Sequence, residues 1–355
     1  MGLFFYYMVT IYTKLSTSIE DQIVLLQGRG LIINNPADLS QFLQHIGYYR
    51  LAGYWQGFQN DSASHTFIPG TTLEQIMELY NFDRELRFLL LDAIERIEIS
   101  FRSVMVNEMS ERHGATWFSD PTLVFSGEML NTTIDIINYE LDRSKEEFVK
   151  HHDRKYGEAE HPPAWKTMQV LSLGTLSKIY GNIRKDVPEK KSIARIYKLP
   201  SDVLLHSWIQ VVSVLRNCCA HHARICYRVF SILPKEIRRP GLPWIKNIPS
   251  VDQRFNQHIY YLICVVRYLL QTAHPDNNFN VQLKRLIARY PGIDLNRMGF
   301  VPGWETEDLW QITSSPASTY AIPEKESLPN LLLIHGTTSS SLPDDAVQST
   351  HYDKA

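Results

Sequence analysis

From Val203 to Val229 the chain carries no Lys, Asp or Glu. Leu204, Leu205, Trp208, Ile209, Val211, Val212, Val214, Leu215, Ile225, Val229 and Phe230 make the stretch apolar nearly all round. A helix of that kind is usually buried. Ser201 offers a cap just ahead of it, so the pattern predicts a helix from about Asp202 to Phe230. One stripe nevertheless stays polar. His206, Gln210, Ser213, Asn217, His221, Arg224 and Arg228 recur at spacings of four, three, four, four, three and four. On a helix this keeps them within an arc of about 80°. An ordinary wet face uses Lys and Glu. This one uses His, Asn, Gln, Ser and Arg, which suit a partly buried polar cleft. Arg216 lies about 140° round from His221, and its long side chain can swing toward the same groove.

The rest of the chain also reads as helix. Asn35-Pro36 opens a short one, with Leu39, Phe42, Leu43 and Ile46 at helical spacing and Gly47 at its end. A second places Tyr48, Leu51, Trp55 and Phe58 on one face. Thr71 with Glu74 reads as a capping box for a long helix from about Leu73 to Met109. Its apolar stripe is Leu79, Phe82, Leu86, Leu89, Leu90, Ile94, Ile97 and Phe101. Glu98–Arg102 and Glu108–Arg112 are i,i+4 pairs on its wet side. Further helices are predicted at about 128–151, 164–185 (weakened near Gly174), 188–198, 251–273 and 280–290. A segment with Pro234, Pro240, Pro243 and Pro249 separates two of them. Beyond about residue 311 the chain turns rich in Ser, Thr and Pro and is predicted to be disordered. No alternating strand pattern and no repeat is visible. The expected class is all-α: an N-terminal helical segment over 1–70 packed on a helical domain at 71–311, with a tail at 312–355.

Composition narrows the partners. The 355 residues are 44% hydrophobic and 21% charged, with 36 basic and 38 acidic side chains. A net charge of −2 argues against a protein that coats nucleic acid over its whole surface, and leaves room for a local basic groove. Lys190, Lys191 and Arg195 belong to one such basic segment. The four cysteines, Cys218, Cys219, Cys226 and Cys264, lie in apolar helical stretches without the spacing of a disulfide framework, which points to a reducing compartment. Met1 to Tyr12 is apolar but too short to span a bilayer, and lacks the basic start and cleavage site of a secretory signal. Tyr6 stands where a myristoylation signal wants Ser or Thr. No membrane segment is expected, and the location expected is cytoplasmic.

Arg216-Asn217-Cys218-Cys219-Ala220-His221 reads Arg, polar residue, three residues, His. It resembles the signature of HEPN (higher eukaryotes and prokaryotes nucleotide-binding) domains, many of which are RNases. The longer string LRNCCAHHARICYR (Leu215–Arg228) is similar to that of the Abi-like family of bacterial abortive-infection proteins. Three more segments resemble the same family: IGYYRLAGYWQGF (Ile46–Phe58), FDRELRFLLLDAIERIEISFRS (Phe82–Ser103) and PPAWKTMQVLSLGTLSKIYGNI (Pro162–Ile183). YPGIDLNRMGFVPGW (Tyr290–Trp304) is similar to the family's usual end. The likeness covers about residues 12–311.

What the resemblance implies is a HEPN-like bundle and a metal-independent endoribonuclease, a toxin of anti-phage defence. His221 would be general acid or base, as imidazoles titrate near neutrality. Arg216 would stabilise charge on the phosphate oxygens. Asn217, one turn before His221, would orient the imidazole or the Arg. His222, Arg224 and Arg228, with Lys190, Lys191 and Arg195, are candidates for RNA contacts. Family sites are usually composite, so a homodimer is implied, and an antitoxin or a non-coding RNA is a further partner. No metal or cofactor is expected. A non-catalytic module that binds RNA or a partner protein is the alternative, in which the histidines are structural and Arg216 merely pairs with Glu95 or Glu98. Cys218, His222 and Cys226 share a helical spacing, but no fourth zinc ligand is evident and they read as small core residues. Tyr48, Tyr49, Arg50, Tyr54 and Trp55 could stack on bases, although helical spacing favours core. Asp83, Glu85, Asp92, Glu95 and Glu98 fit a wet face better than a two-metal centre.

Overall fold

The structure is a computed structural model and describes residues 15–60, 63–157, 161–248 and 255–311. The apolar segment at 1–12 and the tail expected from 312 lie outside the described residues. Among the described residues there are thirteen α-helices, no strand, and only isolated bridges such as Ile32–Thr72. The chain is all-α.

Three short helices come first: α1 (Ile19–Gly28), α2 (Pro36–His45) and α3 (Tyr48–Trp55). Asn35 caps α2 through its side chain, which accepts from the Ala37 amide. The long helix α4 (Leu73–His113) follows. At 1.5 Å per residue it spans about 60 Å. Two registers of the sequence Thr71-Thr72-Leu73-Glu74-Gln75 fit a capping box, and the structure uses Thr72 with Gln75, not Thr71 with Glu74. The reason lies outside the helix. The Thr71 carbonyl accepts from Ile32, and its hydroxyl donates to the Ile68 carbonyl. Thr71 is therefore held in the preceding turn, and Thr72 is the first residue free to cap.

The next helices correct the expected boundaries. The segment at 128–151 is two helices, α5 (Gly127–Asp142) and α6 (Glu147–Tyr156), broken at Ser144–Glu146. The segment at 164–185 is α7 (Ala164–Thr167), a 3-10 turn, and α8 (Leu173–Asn182), which Ser172 caps. Then come α9 (Pro188–Ile196), α10 (Asp202–Ala220), α11 (Ile259–Ala273), α12 (Phe279–Arg289) and α13 (Asp308–Gln311). α11 is the innermost, with every residue from Ile259 to Leu270 buried along α4. Leu26, Leu39, Leu43 and Leu51 of the first three helices join the same core.

α10 packs against α4, α8, α9 and α11. Two glycines let α8 come close. A Cβ at Gly181 would lie 2.5 Å from His206 Nε2, and one at Gly174 would lie 3.2 Å from Ser213 Oγ. By length and composition α10 could cross a membrane. In this fold it is a core helix, with Leu205, Trp208, Ile209, Val211, Val212 and Leu215 all fully buried.

His206 predicts how the fold responds to acid. Burial lowers its pKa from the ordinary 6.5; Lys190 pushes it the same way, and Asp202 opposes them. The fold thus favours the neutral ring. Its contribution is present above about pH 6.5 and is lost as the pH falls below that value. Urea melts between about pH 7 and pH 5 should show a midpoint that declines in wild type and declines less in His206→Gln. An equal decline in both proteins would assign the acid sensitivity elsewhere.

Candidate functional site

α10 stops sooner than its apolar pattern predicts. It ends at Ala220, not near Phe230, and His221 is the C-cap. The stop is a Schellman turn: the His222 amide donates to the Cys219 carbonyl at 3.1 Å, and the Ala223 amide to Cys218 at 2.8 Å. His222 takes the left-handed position that glycine usually fills, at φ +59. For a residue with a Cβ this costs roughly 1–2 kcal/mol, so something must hold it.

The polar stripe is therefore shared between helix and turn. Gln210 and Asn217 face out from α10, whereas Ser213 is buried and His206 half-buried against α8. His221 and His222 are exposed at the helix end. Arg224 and Arg228 have left the helix. Arg228 folds back, with Nη1 3.6 Å from Cys218 Sγ and its guanidinium over Phe230. Arg224 is partly exposed. Cys218, His222 and Cys226 do not share a helix face, because the helix has ended. Burial pushes the Cys219 thiol up to about 12 and those of Cys226 and Cys264 well above their ordinary value, which makes them poor nucleophiles.

Beside the turn, α4 and α10 enclose an open groove lined by Phe88, Leu91, Asp92, Glu95, Glu98 and Arg216, among others. Arg216 Nε lies 3.9 Å from Glu98 Oε2. Glu98 is not on a wet side: it is nearly buried and also accepts from Arg102 Nη2 at 2.9 Å. Arg102 in turn donates to the carbonyls of Met168 and Leu171. Arg216 keeps 40% of its side chain exposed. It is thus loosely held and free to swing.

The α9 cations are not brought to this turn. Lys191 and Arg195 are exposed on α9, which lies by the start of α10. About 28 Å of helix separates that start from His221. Lys190 points inward. It is 5% exposed, and its Nζ donates to the carbonyls of Gly181 and Ile183 at the end of α8.

Sequence reasoning gave Asp83 and Arg50 other roles, a place on a wet face and a part in a base-stacking cluster. Asp83 is fully buried, not wet, and its Oδ1 accepts from the amides of Ile225 and Cys226 at 2.9 and 2.7 Å. Arg50 Nη2 donates to the His222 carbonyl at 2.7 Å. Of the aromatics beside Arg50, Tyr54 and Trp55 are core residues, while Tyr49 is 93% exposed. A signal for Asp83 did exist: it sits four residues past Leu79 and next to Phe82, on the apolar stripe itself.

The fold and site thus define an all-α protein with an Arg-Asn-x3-His turn at the open end of a buried helix. The family model described as Abi-like protein matches residues 41–227, more than half of the chain. The chain belongs to the Abi-like family, which points to a part in abortive infection and anti-phage defence. No curated protein and no solved structure matches it significantly.

Proposed function

We propose that this chain is a metal-independent endoribonuclease that acts as a toxin in abortive infection, with Arg216, Asn217 and His221 as its active residues. The observation that carries this reading is their placement. All three sit on the last turn and cap of α10, at the protein surface, with Arg216 only loosely tied to Glu98. The 2′-hydroxyl of RNA attacks the adjacent phosphorus, the bond to the 5′-oxygen breaks, and the products are a 2′,3′-cyclic phosphate and a 5′-hydroxyl. His221 moves a proton off the attacking hydroxyl or onto the leaving oxygen. Arg216 matches the non-bridging oxygens with its forked donors. A second copy of the chain supplies the other half of the proton transfer, so the active form is a homodimer. HEPN-type chemistry of this kind needs no cofactor.

Electrostatics sets the approach. The groove wall on α4 carries Asp92, Glu95 and Glu98, which repel a phosphate. The end of a helix is also its negative pole. The backbone therefore reaches His221 from the side of Arg228, Arg224 and His222. RNA cleavage by the purified chain in EDTA tests the reading, with the new ends analysed. Cyclic phosphate ends are expected, and an EDTA-sensitive cut leaving 3′-hydroxyl ends would overturn it.

The same groove favours a second reading. Phe88 and Ile99 are exposed large apolar side chains beside those carboxylates. They suit a basic amphipathic segment of a partner protein, such as an antitoxin, and a non-catalytic binding module would use the same face. RNA that binds without being cut, together with a partner that protects this groove, would favour it.

Lys191 and Arg195 contact the backbone of a longer RNA away from the cut. Each contact removed should lower the slope of log affinity against log salt by about 0.7–0.9. Lys191→Ala and Arg195→Ala are expected to do so in anisotropy titrations. Lys190→Met should leave the slope alone, because that ammonium already serves helix carbonyls.

A further inference from the structure

The turn that carries His221 is held from two sides, and the groups that hold it are the ones a longer helix would need. Were α10 to continue to Phe230, the amides of Ile225 and Cys226 would donate to the carbonyls of His221 and His222. The sequence permits this, since no Gly or Pro stands between Val203 and Phe230. In the structure both amides go instead to Asp83 Oδ1, and Arg50 takes the His222 carbonyl. Asp83 Oδ2 accepts from Tyr54 Oη at 2.9 Å and from the Arg87 guanidinium. Arg87 also donates to Tyr54 Oη at 3.1 Å. A carboxylate offers about four acceptor sites, and all four are in use. A plain ion pair with Arg87 would engage only one or two. The rest of the carboxylate is aimed at a turn 142 residues further along the chain.

We propose that Asp83 and Arg50 form a clamp that keeps α10 from extending, and that they are positioning residues for His221. The inference rests on the reading of His221 as the residue that acts on RNA. Asp83 works from the core and Arg50 from the surface. Together they hold His222 in its left-handed conformation, and the chain turns off the helix axis with His221 at its tip. Without them, residues 221–228 compete to add turns to α10. Arg224 and Arg228 would then swing onto the helix, and the surface around His221 would be rebuilt.

The test compares the full-length chain with Asp83→Asn and Arg50→Ala. An Asn side chain at 83 keeps the shape but has an NH2 that must face either the two amides or Arg87. Arg50 lies at the surface, so its loss leaves the core intact and decides the matter if Asp83→Asn fails to fold. Two readouts are used. Hydrogen exchange followed on fragments spanning 221–228 should be altered in both variants, and helical circular dichroism should rise. In RNA cleavage, kcat should fall by about tenfold or more and KM should rise as well, because His221 and the arginines that meet the RNA backbone are displaced together. Arg50→Lys should recover part of the rate. Unchanged exchange at 221–228 in both variants would overturn the clamp, whatever the RNA assay shows. Altered exchange in a protein whose wild type cuts no RNA would keep the clamp and remove the nuclease reading.

Discussion

His221→Ala should lower RNA cleavage by about 10²–10⁴-fold, the span that a positioned acid or base contributes, with little change in stability. The side chain is exposed, and the hydrogen bond that ends α10 is made by its backbone, from the His221 amide to the Asn217 carbonyl. Alanine keeps that bond. Arg216→Ala should cost about 10²–10³-fold, as removal of one charge-stabilising donor does. The competing account makes Arg216 a partner of Glu98. That account predicts a different magnitude. The pair is 3.9 Å apart with Arg216 40% exposed, which is worth at most about 1 kcal/mol of stability. Glu98 would still have Arg102. A loss of two orders in rate with an unmoved urea midpoint therefore separates catalysis from structure. Arg216→Lys should recover little, since an ammonium cannot reproduce the planar fork. Cleavage by His221→Ala at the wild-type rate would sink the assignment.

The parts of the fold that were legible are those whose signals are local. Asn35-Pro36 and Ser201 each mark a helix start, and the structure uses both. The stripe from Leu79 to Phe101 is the buried face of α4, with Leu89 half-buried at its edge. α1 went unread although Ser18 and Asp21 mark its start, because Leu26 alone on it is buried and the apolar stripe is thin. The end of α10 went unread for a different reason. Its stop is made by residues distant in sequence, Asp83 and Arg50, which take the hydrogen bonds a continuing helix would use. Composition alone could not supply that contact. The candidate site shared this fate. Its motif, Arg216 to His221, was visible as a string, but the helical wheel that joined it to Arg224 and Arg228 fails beyond Ala220. Arg228 returns to Cys218 by another route. Charge on α4 misled in the same way, since Asp83 and Glu98 look solvated by type and are held inside by arginines and amides.

Trp208→Ala is the substitution expected to cost the most stability, about 3–5 kcal/mol. Trp208 is fully buried midway along the inner part of α10. Its ring stacks on Trp244 at 5.2 Å and meets Tyr268 edge-on at 5.2 Å. Its Nε1 donates to the Lys235 carbonyl at 2.8 Å, while the neighbouring Ser207 hydroxyl accepts from the Lys235 amide at 3.0 Å. Two adjacent residues of α10 thus pin one residue of the Pro-rich segment, which has no helix of its own to satisfy it. Alanine loses the ring contacts, leaves a cavity and strands a carbonyl. Trp208→Phe keeps most of the packing and loses the hydrogen bond, so about 1–2 kcal/mol is expected. Thermal unfolding should order the proteins as wild type, Trp208→Phe, Trp208→Ala, with the last lower by on the order of 10 °C. The cap at His221 lies about 20 Å further along the helix. Below its melting transition, Trp208→Ala should therefore cut RNA at a near-normal rate per folded molecule. Its stability cost should also add to the small one of His221→Ala, as for independent sites. Strong non-additivity would mean that the packing of α10 at Trp208 reaches the turn at its end, and that the two ends of the helix act as one element.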